Sequence, residues 1–90
     1  QLTALYAAGR RDFGHLDFHE AWMPGVELSG VNLCQANLVS VNLHQAVLSD
    51  AQLTGCNLWR AILTGANLDR ANLARAVLIR ADLSAVSASG

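Results

Sequence analysis

Ninety residues allow one small domain, and a charged fraction of only 14% argues against both an acidic disordered tail and a nucleic-acid-coating protein. Lys is absent, and six Arg against seven Asp and Glu leave a net charge of −1. No apolar run approaches the ~18–20 residues that cross a bilayer, and two Cys can build neither a disulfide framework nor a four-ligand zinc site.

From Arg11 onward the chain repeats every five residues. The third place of each pentad reads Phe13, Phe18, Met23, Leu28, Leu33, Leu38, Leu43, Leu48, Leu53, Leu58, Leu63, Leu68, Leu73, Leu78 and Leu83, without an insertion. The first place is small or β-branched and apolar from Ala21 to Ala81; Arg11 and Leu16 are the exceptions, at the beginning of the array. A period of five suits neither regular element. In a helix it spreads the leucines around the cylinder, and in an unbroken strand it sends them to alternate faces. It works when each pentad is a short extended piece followed by a corner, with places one and three inward, place two outward, and places four and five turning.

The corner chemistry agrees with that division. Gly14, Gly25, Gly30, Gly55 and Gly65 fall at places four or five, where positive φ is tolerated, and the single Pro, Pro24, falls at place four. Place two is mostly Asn, Asp, Gln or Glu. If four such corners close a coil, stacked coils form parallel strands ~4.8 Å apart. The expected fold is an all-β solenoid about four coils tall. Leu33 through Leu78 at the third places define its core, with Leu33, Leu53 and Leu73 stacked on one side.

The units Ala36-Asn37-Leu38, Ala66-Asn67-Leu68-Asp69-Arg70 and Ala71-Asn72-Leu73 resemble the A(D/N)LXX unit of the pentapeptide-repeat family, and the resemblance runs over residues 11–85. It implies a right-handed quadrilateral parallel β-helix, in which fifteen pentads make about 3.75 coils. Residues 5–13 are similar to the short helix that caps the first coil in small members from photosynthetic bacteria. Residues 1–10 are therefore expected as an N-terminal α-helical cap, with Leu2, Leu5 and Tyr6 on one face and Gly9 ending it. Residues 86–90 are expected as a C-terminal tail.

Few residues suggest chemistry. His15, Asp17, His19 and Glu20 form an H-x-D-x-H-E cluster, but as ligands they would have to converge around a corner, so solvent-facing turn residues are expected and no metal. Cys34 should point outward and Cys56 inward, which prevents a bond between them. No phosphate loop or nucleophile–base arrangement is visible, and a core filled by its own side chains leaves no substrate pocket. The expectation is a non-enzyme with no cofactor and no small-molecule substrate.

Outward places read in steps of twenty give His19, Val39, Trp59 and Ile79 in one column, with Val77 beside it where Asn or Asp is usual. Val39, Trp59, Val77 and Ile79 are the candidate protein-interaction surface, the plainer alternative being that corner residues cover one another. Arg60, Arg70, Arg75 and Arg80 encircle the shaft and do not line one groove, so a solvated collar is expected there and not a nucleic-acid footprint. The leading functional expectation is a regulatory or scaffold module that binds a protein or pairs as a homodimer, away from membranes. The alternative, implied by another branch of the family, is a DNA mimic acting on DNA gyrase; the chain departs from it in being short and nearly neutral. The cytoplasm is the expected compartment, with export behind a removed signal peptide as the alternative.

Overall fold

A computed structural model describes residues 2–90, so the first residue of the expected 1–10 segment lies outside the described residues. Second-place residues pair in parallel with second-place residues twenty positions on, as in Asn32↔Gln52↔Asn72 and Asn37↔Asn57↔Val77. Three backbone bonds repeat at each such contact. Phe13 N–H donates to the Asn32 carbonyl at 2.8 Å, His15 N–H to the Cys34 carbonyl at 2.9 Å, and Asn32 N–H returns to the Arg11 carbonyl at 2.7 Å. The pairs are isolated bridges one residue wide, because the corners leave only place two fully extended. The chain is thus a β-helix solenoid of four columns of pentads, 31 Å along its longest axis.

From Phe18–Ala21 to Leu83–Val86 each corner has the signature of a type II turn. The third-place carbonyl accepts from the N–H three residues on, as from Ala61 to Leu58 at 2.9 Å, and the fifth place between them has positive φ. That conformation recurs at every fifth residue from His15 (65°) to Gly90 (82°), and eleven of those residues are not glycine. An L-residue there is strained by roughly 1–2 kcal/mol, so the ladder and core overrule local preference at most corners.

Place two turns out to be more than an outward position. Its Asn or Asp side chain accepts the fourth-place N–H, as in Asn32 Oδ1 from Cys34 at 2.9 Å and Asn57 Oδ1 from Trp59 at 3.1 Å. This two-residue reach is the ordinary Asx bond, and it satisfies a donor the ladder does not use. Where the second place is Trp22, which has no such acceptor, the fourth place is Pro24, which has no N–H to satisfy.

The core is a column of Leu packed against Ala, Val and Cys. Leu28, Leu33, Leu38, Leu43, Leu48, Leu53, Leu58, Leu63 and Leu68 are buried, as are Val31, Ala36, Val41, Ala46, Ala51, Cys56, Ala61 and Ala66. Leu73 and Leu78, expected in the core with the others, are only half-buried, and Leu83 is exposed. The reason is coverage: among the described residues no pentad stacks over them. At the other end Phe13 is buried and meets Phe18 edge to face at 6.5 Å, whereas Leu16 is exposed.

Helix α1 spans Leu2–Ala7. Gly9 N–H donates to the Tyr6 carbonyl, Arg10 N–H donates to the Leu5 carbonyl, and Gly9 has a φ of 108°. These two crossed bonds are a Schellman termination, for which glycine is suited. Leu2 is buried and the Tyr6 hydroxyl donates to the Ser29 carbonyl at 2.7 Å, but Leu5 is exposed. Leu2 and Tyr6 are four residues apart and share the inner face; Leu5 lies off it. The pentad register also continues past residue 85. Ser87 bridges Asn67, Leu68 N–H donates to the Ser87 carbonyl, and Ser87 Oγ and Ser89 N–H both donate to Asp69 Oδ1, so residues 86–90 make a sixteenth pentad where a tail was expected.

Candidate functional site

The fourth-place corner of one column holds Val39, Trp59 and Ile79 above one another. Ser40 N–H donates to the Trp59 carbonyl and Arg60 N–H to the Ile79 carbonyl, which fixes the three corners in register. Val39 is half-buried, whereas Trp59 (37%), Val77 (38%) and Ile79 (64%) are exposed, so the apolar surface widens toward residue 79. The Arg60 guanidinium lies 4.9 Å from the centre of the Trp59 ring, a cation–π contact that covers part of the indole.

Trp22 lies in a different column, where Asn42 separates it from Ile62. At 76% exposure Trp22 is nevertheless the most exposed large apolar side chain among the described residues. With Leu2, Thr3, Phe18, Ala21 and Met23 it lines a concavity of about 260 Å³ beside α1. The sequence signal was an aromatic at an outward second place; what it could not show was that the helix would come to lie beside that residue.

The histidine cluster does not converge. Asp17 accepts from His19 through both the backbone N–H (3.0 Å) and the ring Nδ1 (2.8 Å), while His15 and Glu20 occupy separate corners. The hydrogen bonds from His19 hold the Asp17 carboxyl below its ordinary value, and Asp17 raises the His19 imidazole above its own. Among the described residues no group of three or more His, Cys, Asp or Glu is placed to hold a metal ion.

Cys56 is fully buried, and that burial pushes its thiol up to about 11. Cys34 is half-buried, and both are free thiols. A thiol needs its thiolate and access to react. An aromatic disulfide reagent at neutral pH is therefore expected to label one thiol, Cys34, in the native protein and both in denaturant; rapid native labelling of two would show that Cys56 is not in the core.

The four C-terminal arginines have different surroundings. Arg70 makes a forked contact with Asp50, twenty residues below, through Nε at 2.9 Å and through its terminal nitrogen at 3.2 Å. That pairing lowers the Asp50 carboxyl and raises the Arg70 guanidinium. Arg60 and Arg80 share another column with Ser40, and these three with Ile62 line a shallow concavity of about 520 Å³.

Against known proteins, the family model described as pentapeptide repeats matches residues 12–50 and 51–87. No curated protein matches the chain. Among solved structures it is similar to a pentapeptide repeat protein from the Arabidopsis thaliana thylakoid lumen, with 29% identity and a TM-score of 0.88 over 93% of this chain. The chain spans 59% of that protein's length. It is also similar to a pentapeptide repeat protein from Nostoc Pcc 7120, with 31% identity and a TM-score of 0.54, covering 94% of this chain and 90% of that one. These neighbours imply a right-handed sense for the solenoid. No helix among the described residues is long and apolar enough to cross a membrane. With its pentad register, its turn at every fifth residue and a family match over both halves of the array, the chain belongs to the pentapeptide repeat family.

Proposed function

We propose that this chain is a non-enzymatic protein-interaction module of a regulatory or scaffold kind, and that Val39, Trp59, Val77 and Ile79 are its contact surface. The module is a quadrilateral β-helix of about four coils over residues 11–90, with residues 1–10 as its N-terminal cap. It works in the cytoplasm; the lumenal setting of the Arabidopsis neighbour makes an exported compartment the alternative. The observation that carries the reading is the exposure of Trp59 and Ile79 on adjacent rungs of a backbone held by repeated ladder bonds. Such a surface is preordered, so binding it costs little conformational entropy, and tryptophan is enriched at interface hot spots.

The test is sedimentation velocity on wild type and Trp59→Asp at matched micromolar concentrations, followed by capture from a lysate with both proteins as bait. The expected result is a dimer or a captured partner that Trp59→Asp loses, with at least a tenfold weakening, since hot-spot truncations cost about 2 kcal/mol or more. Identical sedimentation and identical capture by both proteins would overturn the assignment of this surface.

A further inference from the structure

The geometry points to a binding site for a phosphate-type anion formed by Ser40, Arg60 and Arg80. It stands independently of whether the adjoining stripe binds a protein. Fifth-place side chains one coil apart are within reach of one another, as the Arg70–Asp50 fork demonstrates. In the column of Glu20, Ser40, Arg60 and Arg80 the same register sets Arg80 one coil above Arg60, and both side chains line one concavity. The backbone makes the two equivalent, with φ of 58° at Arg60 and 60° at Arg80. Among the described residues the ion pairs are those of Asp17 with His19 and of Asp50 with Arg70, so neither Arg60 nor Arg80 has a carboxylate partner.

The nearest candidates for neutralising them are engaged or distant. Asp82 stands above Ile62 in the neighbouring column, and its Oδ1 accepts from both the N–H and the hydroxyl of Ser84 at the following corner. Glu20 lies two coils below Arg60. Two like charges side by side destabilise one another, and the concavity they line with Ser40 and Ile62 is open to a ligand. The cation–π contact with Trp59 does not consume the N–H donors of the Arg60 guanidinium, which stay available to an oxyanion. Two guanidinium forks and a hydroxyl match the several oxygens and double charge of a phosphate group, and Ile62 offers an apolar wall to whatever the phosphate is attached to.

The probes are inorganic phosphate and phenyl phosphate, titrated at constant ionic strength against ¹⁵N-labelled protein. Saturable shifts are expected at the Nε–H of Arg60 and Arg80 and at the Trp59 indole N–H, with Arg75 as the unmoved reference. Tighter binding of the phenyl ester would assign the site to organic phosphates through Ile62, and equal binding to the free anion. Arg60→Gln and Arg80→Gln should each weaken binding about tenfold, the size of a lost charge-assisted hydrogen bond. These positions are exposed, so both variants should keep the wild-type circular dichroism. Absence of saturation with both probes, or equal shifts at Arg75, would overturn the site.

Discussion

Leu58→Asp is expected to leave the chain unfolded. Leu58 is 1% exposed, its N–H donates to the Val77 carbonyl and its carbonyl accepts from Ala61, so its side chain cannot swing out without breaking the ladder. The substitution removes a buried leucine, which costs roughly 2–5 kcal/mol, and leaves a carboxylate among apolar neighbours, which costs several more. A domain of this size has only about 5–15 kcal/mol in total. Leu83 supplies the internal control. It holds the same third place but is 38% exposed, so Leu83→Asp should fold with a small loss. Size-exclusion chromatography and urea unfolding of the pair decide the matter: a cooperative, compact Leu58→Asp would mean that the third place does not face the core.

Leu58 and Leu83 also mark where the sequence could be read and where it could not. The five-residue period shows which side of each pentad is inward, because apolar side chains at places one and three leave one consistent way to bury them. It does not show how much lies above a given rung. Leu73 and Leu78 repeat the pattern of Leu53 and Leu58, yet they are half-buried because coverage comes from the next coil and not from the residue itself. Residues 86–90 failed in the opposite direction. Val86 and Gly90 keep the register although Ala88 stands where leucine is usual, and the backbone ladder orders this segment. At place two the sequence shows a predominance of polar residues, most of them Asn or Asp. Its meaning as an acceptor for the fourth-place N–H needed the turn geometry to be known.

The interaction stripe was legible for a related reason. A solenoid turns a period in sequence into a column in space, so steps of twenty suffice to align Val39, Trp59 and Ile79. The same arithmetic stacked Arg60 and Arg80 without revealing the concavity between them, or the Trp59 ring against the Arg60 guanidinium. Those depend on side-chain conformation across two columns. Trp22 beside α1 depends on where a non-repeating segment settles, which no period reports.

Gly65→Val should be strongly damaging for a change at a corner, with a loss of about 2 kcal/mol. Gly65 has a φ of 70°, and a β-branched residue is strained in that region more than an unbranched one. A Cβ there would also stand 3.2 Å from Gln45 Cγ, so the Gln45 side chain must give way. Gly25 separates the two causes. It shares the column and the φ of 70°, but a Cβ there would meet nothing within 4 Å, so Gly25→Val carries the backbone strain alone. Ala85, in the same column at φ 58°, shows that a Cβ can be accommodated at such a corner. Gly65→Asn tests the backbone from the other side, since asparagine tolerates the left-handed region and meets Gln45 at the same Cβ distance. The expected order of stability is wild type, then Gly65→Asn, then Gly25→Val, then Gly65→Val, the last melting ~10 °C below wild type at 4–8 °C per kcal/mol. A Gly65→Val protein as stable as wild type would mean that the corner relaxes out of positive φ. The ladder bond from the Gly65 N–H to the Ser84 carbonyl, 2.8 Å in the native turn, would then be the first to loosen, and faster amide exchange at that position would reveal it.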